Sequence, residues 1–472
     1  MNLPGGSRRD AEDAGRFFAQ SGRTWTSQMV QMYQFFLEGH GMSVAAKKKT
    51  AVVVGTGAGG AMMAKELQGR YQVTILEKGG EFRPFSLSVE RMAKLRPSGL
   101  FFDERMIRML IPNMLVEKTR DMIMVRGIGL GGTTTLATGN AVRYDGALRQ
   151  IGIDLDEQFD ELYQELPITT DHQKHWTKTT RKMFRLFERM GLDPVVTPKL
   201  MDADQCIGCG HCAIGCRHDA KWDTRQLVDE AVSFGAELMT GTEVTDLEIT
   251  GRQVSAVHAR TVRGKRVFHP DLVVLAAGGL GTPVILERSG IVCRKTLFAD
   301  PVLCVAGPLE GLRQDRQLLM PFISQQDGYI LAPYMDYLSF FFNKDWRLPM
   351  RDMASIMIKL ADEEKGSVSG KRIHKQMTQT DTVRMEGAVR LAGRILEHMG
   401  IPEEKQFLGT LNAGHPGGML PLARSEKDSL HPSLLPGNLY VADATILPKA
   451  MGNPPMLTIM ALAKKIAKTI DI

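Results

Sequence analysis

The stretch AVVVGTGAGGAMMAKELQGRYQVTILEKGG, residues 51–80, limits the fold more than any other part of the chain. Residues 51–54 are a short apolar run, β-branched at three of four positions, and read as a buried strand. Glycines follow at 55, 57, 59 and 60, residues 61–68 suit a helix, and 72–76 read as a second strand ending at Glu77. Strand, glycine turn, helix and strand make a βαβ unit, the seed of a parallel sheet. Gly55 permits the tight turn, Gly57 lets the backbone approach a pyrophosphate, and Gly60 lets the helix lie close on the strand. The helix N-terminus then offers free N–H groups and a positive dipole end to phosphate. Glu77 lies 22 positions after Gly55, where an acid takes a ribose hydroxyl pair and disfavours a 2′-phosphate. NAD and FAD share this fingerprint.

The chain has 472 residues, enough for two or three domains. Later strand candidates are 272–276 and 439–441, the second followed by Asp443, and LTIMALAKKIAKTI fits a C-terminal helix with Ile459, Leu462, Ala463 and Ile466 on one face. Between about 295 and 400 the aromatic run YLSFFF reads as a strand and 381–399 as a helix. Residues 1–46 read as a helical extension packing on the body, with a partner-docking role as the sharper alternative. The net charge of +6 is mild and spread out, with Lys47–Lys49 a solvated edge, so nucleic acid is not expected as a partner. No apolar run is long enough for a membrane span. The twin arginine Arg8-Arg9 lacks a following apolar segment, so a cytoplasmic location is expected, unless a partner subunit carries an export signal.

Four of the six cysteines fall inside CIGCGHCAIGC, residues 206–216. Cys206, Cys209, Cys212 and Cys216 have the C-x2-C-x2-C-x3-C spacing of a ferredoxin run, with Arg217 where a proline usually follows. The expectation is a [4Fe–4S] cluster, with Gly208, Gly210 and Gly215 freeing the backbone to wrap it. Cys216 closes the site, or Cys293 or Cys304 replaces it, or three ligands hold a [3Fe–4S] form. Inert thiols, zinc and disulfides are the rival readings; structural zinc favours two separated CxxC knuckles, and disulfides suit an oxidising compartment.

RGIGLGGTTTLATGNAVR at 126–143 and the block from His415 to Ala467, with GHPGG, LYVAD and GNPP, decide between the cofactors. With the glycine fingerprint, in this order, they resemble the glucose-methanol-choline (GMC) oxidoreductases, flavoproteins that oxidise alcohols, and most of all the cholesterol-oxidase branch and its bacterial dehydrogenase relatives. The resemblance covers about 48–290 and 355–472. It implies an α/β (mixed α+β) fold: a Rossmann-type FAD-binding domain with an interleaved β-sheet substrate domain. The implied segments are 47–165 and 226–294 for FAD, 166–225 as a cysteine-rich insertion, 295–430 for substrate, and 431–472 for FAD again. Gly55, Gly57, Gly60 and Glu77 would hold the ADP half of FAD, Gly131, Gly132, Thr133 and Thr134 would lie along the pyrophosphate and flavin, Asp443 would sit near the ribityl–pyrophosphate, and Pro454 near the isoalloxazine. Ala137 stands where relatives often carry a flavin-facing asparagine; either Asn140 takes over that contact or the role is absent. His415 and Asn453 stand at the family's catalytic positions, as base and as orienter of the hydroxyl; His431 matches no family position and reads as surface.

The resulting expectation is an FAD-dependent alcohol dehydrogenase that passes electrons through the cluster to a partner protein or small subunit, with oligomerisation open. The alternatives are an oxygen-using sterol or lipid-alcohol oxidase with inert cysteines, and a flavin/Fe–S electron-transfer subunit without a substrate of its own. Tyr329, Tyr334, Tyr337, Phe340, Phe341 and Phe342 line a substrate pocket or pack in the core.

Overall fold

The computed structural model describes residues 48–85, 111–343 and 350–470, with 91, 94 and 109 singly. The N-terminal extension of residues 1–46 lies outside the described residues.

The glycine-turn unit forms as expected, with strand β1 (Lys49–Val54), helix α1 (Ala58–Glu66) and strand β2 (Tyr71–Leu76). Three further strands, β3 (Glu237–Met239), β4 (Leu272–Leu275) and β5 (Leu439–Val441), complete a five-stranded sheet in the order β5-β4-β1-β2-β3. Every pairing is parallel, with Val53 opposite Val274 on one side and Ile75 on the other. A parallel sheet is covered on both faces, which explains why β1 and β4 read as unbroken apolar runs. Helix α1 packs against α2 (Arg225–Ser233) and α4 (Met456–Thr469), while α3 (Gly278–Arg288) follows β4 directly. Val52, Ile75, Met62, Val274, Leu457 and Met460 belong to one buried core. The carboxyl ends of β1, β2, β4 and β5 lead into Gly55, Glu77, Ala276 and Ala442, the edge where ligands of open α/β sheets bind.

The second sheet has nine strands. Its order is Met114–Lys118, Ile123–Gly127, Asn412–Ala413, Val302–Pro308, Met353–Leu360, Tyr329–Pro333, Phe322–Gln326 and Pro194–Val196, with Phe407–Leu408 pairing off Val302–Pro308. Strands from 114–127 and 194–196 thus join the sheet otherwise built from 302–413, so the sheet crosses the expected segment boundaries. Helix Gln379–His398 covers it, burying Met385, Ala388, Ala392 and Ile395 in one cluster with Val305, Ile356 and Ile358. Its start is set by a reciprocal cap in which the Thr378 hydroxyl accepts from Asp381 N and the Asp381 carboxylate accepts from Thr378 N.

One element departs from expectation. YLSFFF is a helix, Tyr337–Phe342, not a strand. The Asp336 carboxylate accepts from Ser339 N at 2.9 Å and caps it, and Tyr337, Phe340 and Phe341 are buried with Met335, Met350 and Met353. An aromatic run buried on most sides has no period of its own, so the cap decides. These three rings pack in the core.

Among the described residues no helix is long and apolar enough to cross a membrane.

Candidate functional site

The glycine turn behaves as its spacing demands. Gly55 has φ +99°, and a Cβ there would lie 2.4 Å from Ala276 O. A Cβ on Gly60 would meet Gly55 O at 2.1 Å, so helix and strand are in backbone contact. At Gly57 a Cβ would meet nothing within 4 Å, and Gly57 caps α1 without any side-chain hydrogen bond. An uncapped helix N-terminus facing open space is a cradle for an anion.

The Gly131–Thr134 loop lies against this turn. A Cβ on Gly132 would be 3.1 Å from Gly57 Cα. Thr56 Oγ1 accepts from Gly131 N at 3.0 Å, and Thr224 Oγ1 donates to Thr56 O at 2.9 Å and meets Thr134 Oγ1 at 2.9 Å. Thr133 Oγ1 accepts from Gly127 N, which holds the loop to the second sheet.

Glu77 is buried at the tip of β2 and is already engaged. Its Oε2 accepts from Thr56 N at 3.1 Å and Thr56 Oγ1 at 2.7 Å, and its Oε1 accepts from Gly79 N at 2.9 Å and Gly129 N at 3.2 Å. Burial pushes its carboxyl up, and the four donors oppose that. Glu77 therefore clamps the two loops together, and a ribose would share it with them. Asp443 plays the matching part on the other side, accepting from Gly278 N at 2.8 Å, Thr282 Oγ1 at 2.5 Å and Thr445 N at 2.8 Å. Burial raises its carboxyl as well.

Asn140 is buried and fully engaged. Its Oδ1 accepts from the buried Lys199 ammonium at 2.5 Å and its Nδ2 lies 3.0 Å from Met320 Sδ. Both ends of the amide are thus hydrogen-bonded inside the protein. His431 differs from the expectation, for it is half-buried, stacked edge-on against Tyr440 with 4.9 Å between ring centres, and hydrogen-bonded to Pro436 O.

His415 sits in a loop packed on the start of α3, where a Cβ on Gly279 would lie 1.9 Å from Pro416 O. Its Nδ1 is buried without a hydrogen-bond partner. Burial first, and then the Lys359 ammonium, push the imidazole well below its ordinary value, so it is neutral. Asn453 is 1% exposed, in the turn before Pro454, Pro455 and α4. Its Nδ2 donates to Gln325 Oε1 at 2.9 Å, while its Oδ1 is buried without a partner. Between the two loops, Lys359 pairs with Asp300, whose Oδ1 accepts from Gly452 N at 3.1 Å. The one legible trace of Lys359 in sequence is a lysine inside the apolar run MASIMIKL.

All four cysteines of the 206–216 run line one small cavity of about 30 Å³, together with Lys199, Lys221 and His211. Gly208, Gly210 and Gly215 have φ of +66°, +74° and +97°, as a loop wrapping inward needs. Cys293 and Cys304 do not line this cavity; Cys304 stands beside Asp336 and Cys293 beside Glu287. Burial pushes the Cys212 thiol up to about 11, against the pull of Lys199 and Lys221. Among the described residues, no three His, Cys, Asp or Glu side chains converge as a metal cage.

Sequence reading missed Lys199 and Lys221, since lysines read as surface. Lys221 Nζ donates to Thr134 O, Thr135 O, Ala137 O and Cys212 O, and Lys199 Nζ to Thr138 O, Leu319 O and Asn140 Oδ1. All of these acceptors are neutral, and burial pushes both lysines down, Lys199 to about 7, with the nearby cysteines pulling the other way.

A protein-family model described as GMC oxidoreductase matches residues 36–302. An uncharacterized protein of Methanocaldococcus jannaschii is 26% identical over 425 residues, covering 89% of this chain and 98% of its own. A long-chain-alcohol oxidase of Arabidopsis thaliana is 24% identical over 519 residues, covering 89% of this chain and 66% of its own. Among solved structures, pyridoxine 4-oxidase from Mesorbium loti superposes with a TM-score of 0.67 at 16% identity, over 89% of this chain and 99% of that one, a likeness of fold.

Proposed function

Because this chain belongs to the GMC oxidoreductase family, we propose that it oxidises an alcohol hydroxyl to a carbonyl with FAD, using His415 and Asn453 as the reacting pair. The observation that carries the reading is the pair of orphaned buried atoms, His415 Nδ1 and Asn453 Oδ1. A buried polar atom without a partner costs about 1–3 kcal/mol, and such atoms persist where a ligand completes them. Gly57 and the open N-terminus of α1 fit the pyrophosphate of FAD, with Gly55, Gly60, Gly131, Gly132, Thr133 and Thr134 shaping that cradle, Glu77 and Asp443 bracing it, and Pro454 beside the flavin end. Bound FAD supplies the two-electron acceptor for hydride. Neutral His415 is able to take the hydroxyl proton as the C–H bond breaks. Asn453, anchored on Gln325, offers its oxygen to orient the hydroxyl. Anaerobic bleaching of the flavin by a panel of alcohols, long-chain ones included, tests this. Wild-type reduction rates in both His415→Ala and Asn453→Ala would sink the assignment.

We further infer that Cys206, Cys209, Cys212 and Cys216 hold a [4Fe–4S] cluster, or [3Fe–4S] on three of them. Support comes from the cavity that all four line and from the two buried lysines beside it, whose charged forms burial disfavours and an anionic thiolate cluster would favour. Such a cluster supplies one-electron transfer, which suits a cytoplasmic dehydrogenase handing electrons to a partner protein. The likeness to a long-chain-alcohol oxidase favours a second reading, an oxygen-using oxidase of sterol or other lipid alcohols, close to the cholesterol-oxidase branch, with inert thiols. Stoichiometric peroxide in air would select it.

A further inference from the structure

We propose that the buried Asp300–Lys359 pair is the positioning element shared by His415 and Asn453. The inference rests on the reading of those two residues as the reacting pair.

Lys359 is the penultimate residue of the strand Met353–Leu360, in which every position is buried. Its ammonium meets Asp300, with side-chain exposures of 2% and 1%. Asp300 is held in a left-handed conformation at φ +52°, a strained choice for a residue with a Cβ. Its N–H and that of Ala299 both donate to Asp362, which in turn pairs with Lys375 at 2.6 Å. The strained residue is thus fixed from behind, and its Oδ1 points the other way, to Gly452 N at 3.1 Å. Gly452 has φ +60° and no room for a Cβ beyond 3.1 Å from Ala361 N, so the turn that carries Asn453 is clamped between Asp300 and the strand end. On the far side the same segments hold the other loop: Val302 pairs with both Lys359 and Asn412, Phe298 N donates to Gly417 O at 3.1 Å, and the Lys359 charge acts on the His415 imidazole. The remaining charged or titratable neighbours are Asp362 beside Lys359, and Tyr144 beside Asp300.

An ion pair buried this deeply contributes little stability over apolar packing of equal volume. Its place here is explained by use. Asp300 sets the Asn453 turn, and the Lys359 charge adds to burial in keeping a proton off His415, so the imidazole is ready as an acceptor.

The test uses the full chain loaded with FAD. Nuclear magnetic resonance follows the His415 imidazole through a pH titration, assigned by its loss in His415→Gln, alongside the pH profile of flavin reduction by an alcohol. In Lys359→Met the His415 midpoint is expected to rise toward its ordinary value, and the acid limb of the profile to move up with it. Lys359→Arg, which keeps the charge, is expected to hold both in place. Asp300→Asn removes the opposing charge at almost constant shape, and moves the midpoint down; it serves if Lys359→Met does not fold. A midpoint unchanged in folded Lys359→Met or in Asp300→Asn overturns the proposal. Wild-type activity in His415→Gln would instead overturn the assignment of His415 as base, whatever its titration shows.

Discussion

The buried Lys221 ammonium donates to the Thr135 carbonyl at 2.6 Å, closing the short helix that ends the Gly131–Thr134 loop. The same ammonium reaches Cys212 O at 3.2 Å, so one side chain ties the cysteine run to the loop proposed to lie on FAD. Replacing Lys221 with Met would strip the donor from four carbonyl oxygens. The expected loss is roughly 2–4 kcal/mol of stability, with FAD released before global unfolding. Thermal unfolding followed by circular dichroism and by flavin fluorescence checks this; coincident, unshifted transitions would refute it.

Gly57 and Gly59, two positions apart, should respond differently. Gly57→Ala adds a methyl into open space, so the apoprotein should stay within about 1 kcal/mol of wild type while FAD affinity falls at least about tenfold. Gly59→Ala puts a methyl 1.5 Å from Ala442 O and should cost upward of about 2 kcal/mol even without cofactor. Denaturant unfolding and flavin titration of both variants separate the effects. Equal FAD affinity in Gly57→Ala would remove the pyrophosphate from this turn.

His172 supplies a pH dependence. Its Nδ1 accepts from Trp176 Nε1 at 3.1 Å and its Nε2 donates to Thr197 O at 2.9 Å, a pattern that requires the neutral ring. Burial pushes it down to about 4 from an ordinary 6.5. The unfolded chain therefore takes up the proton first as pH falls. The stability this site contributes is complete above about 6.5 and is lost on the way down to about 4, by up to about 3 kcal/mol. Urea unfolding followed by tryptophan fluorescence should show a slope shallower by about one proton in His172→Gln over that window. Identical slopes would show that His172 is not the titrating group.

Protein purified without air should carry about four irons per chain and absorb broadly near about 400 nm beyond the flavin bands. Cys206→Ser and Cys216→Ser should lose the iron and the transfer to an external one-electron acceptor, while alcohol still bleaches the flavin. Iron-free protein with full activity would leave the cysteines inert and favour the oxidase.

The glycine fingerprint was legible because its determinants are local: a turn with φ +99° at Gly55 and a helix seated on Gly60 follow from spacing alone. The curled cysteine loop was legible for the same reason, through three glycines with positive φ. YLSFFF was misread because burial on most sides erases periodicity, and the hold of Lys199 on Asn140 was not legible because the two are 59 positions apart.

By itself, then, the sequence determined the parallel βαβ frame, the dinucleotide turn and the pattern of thiols, all set by neighbours along the chain. Only the tertiary structure decided the fate of the buried charges. A lysine is written as a surface residue unless something distant compensates it, and for Lys359, Lys199 and Lys221 the compensation comes from Asp300, Leu319 and Thr135, each 59 or more positions away. Whether a charge is buried depends on which segments the fold brings together, and that is a property of packing rather than of local spacing.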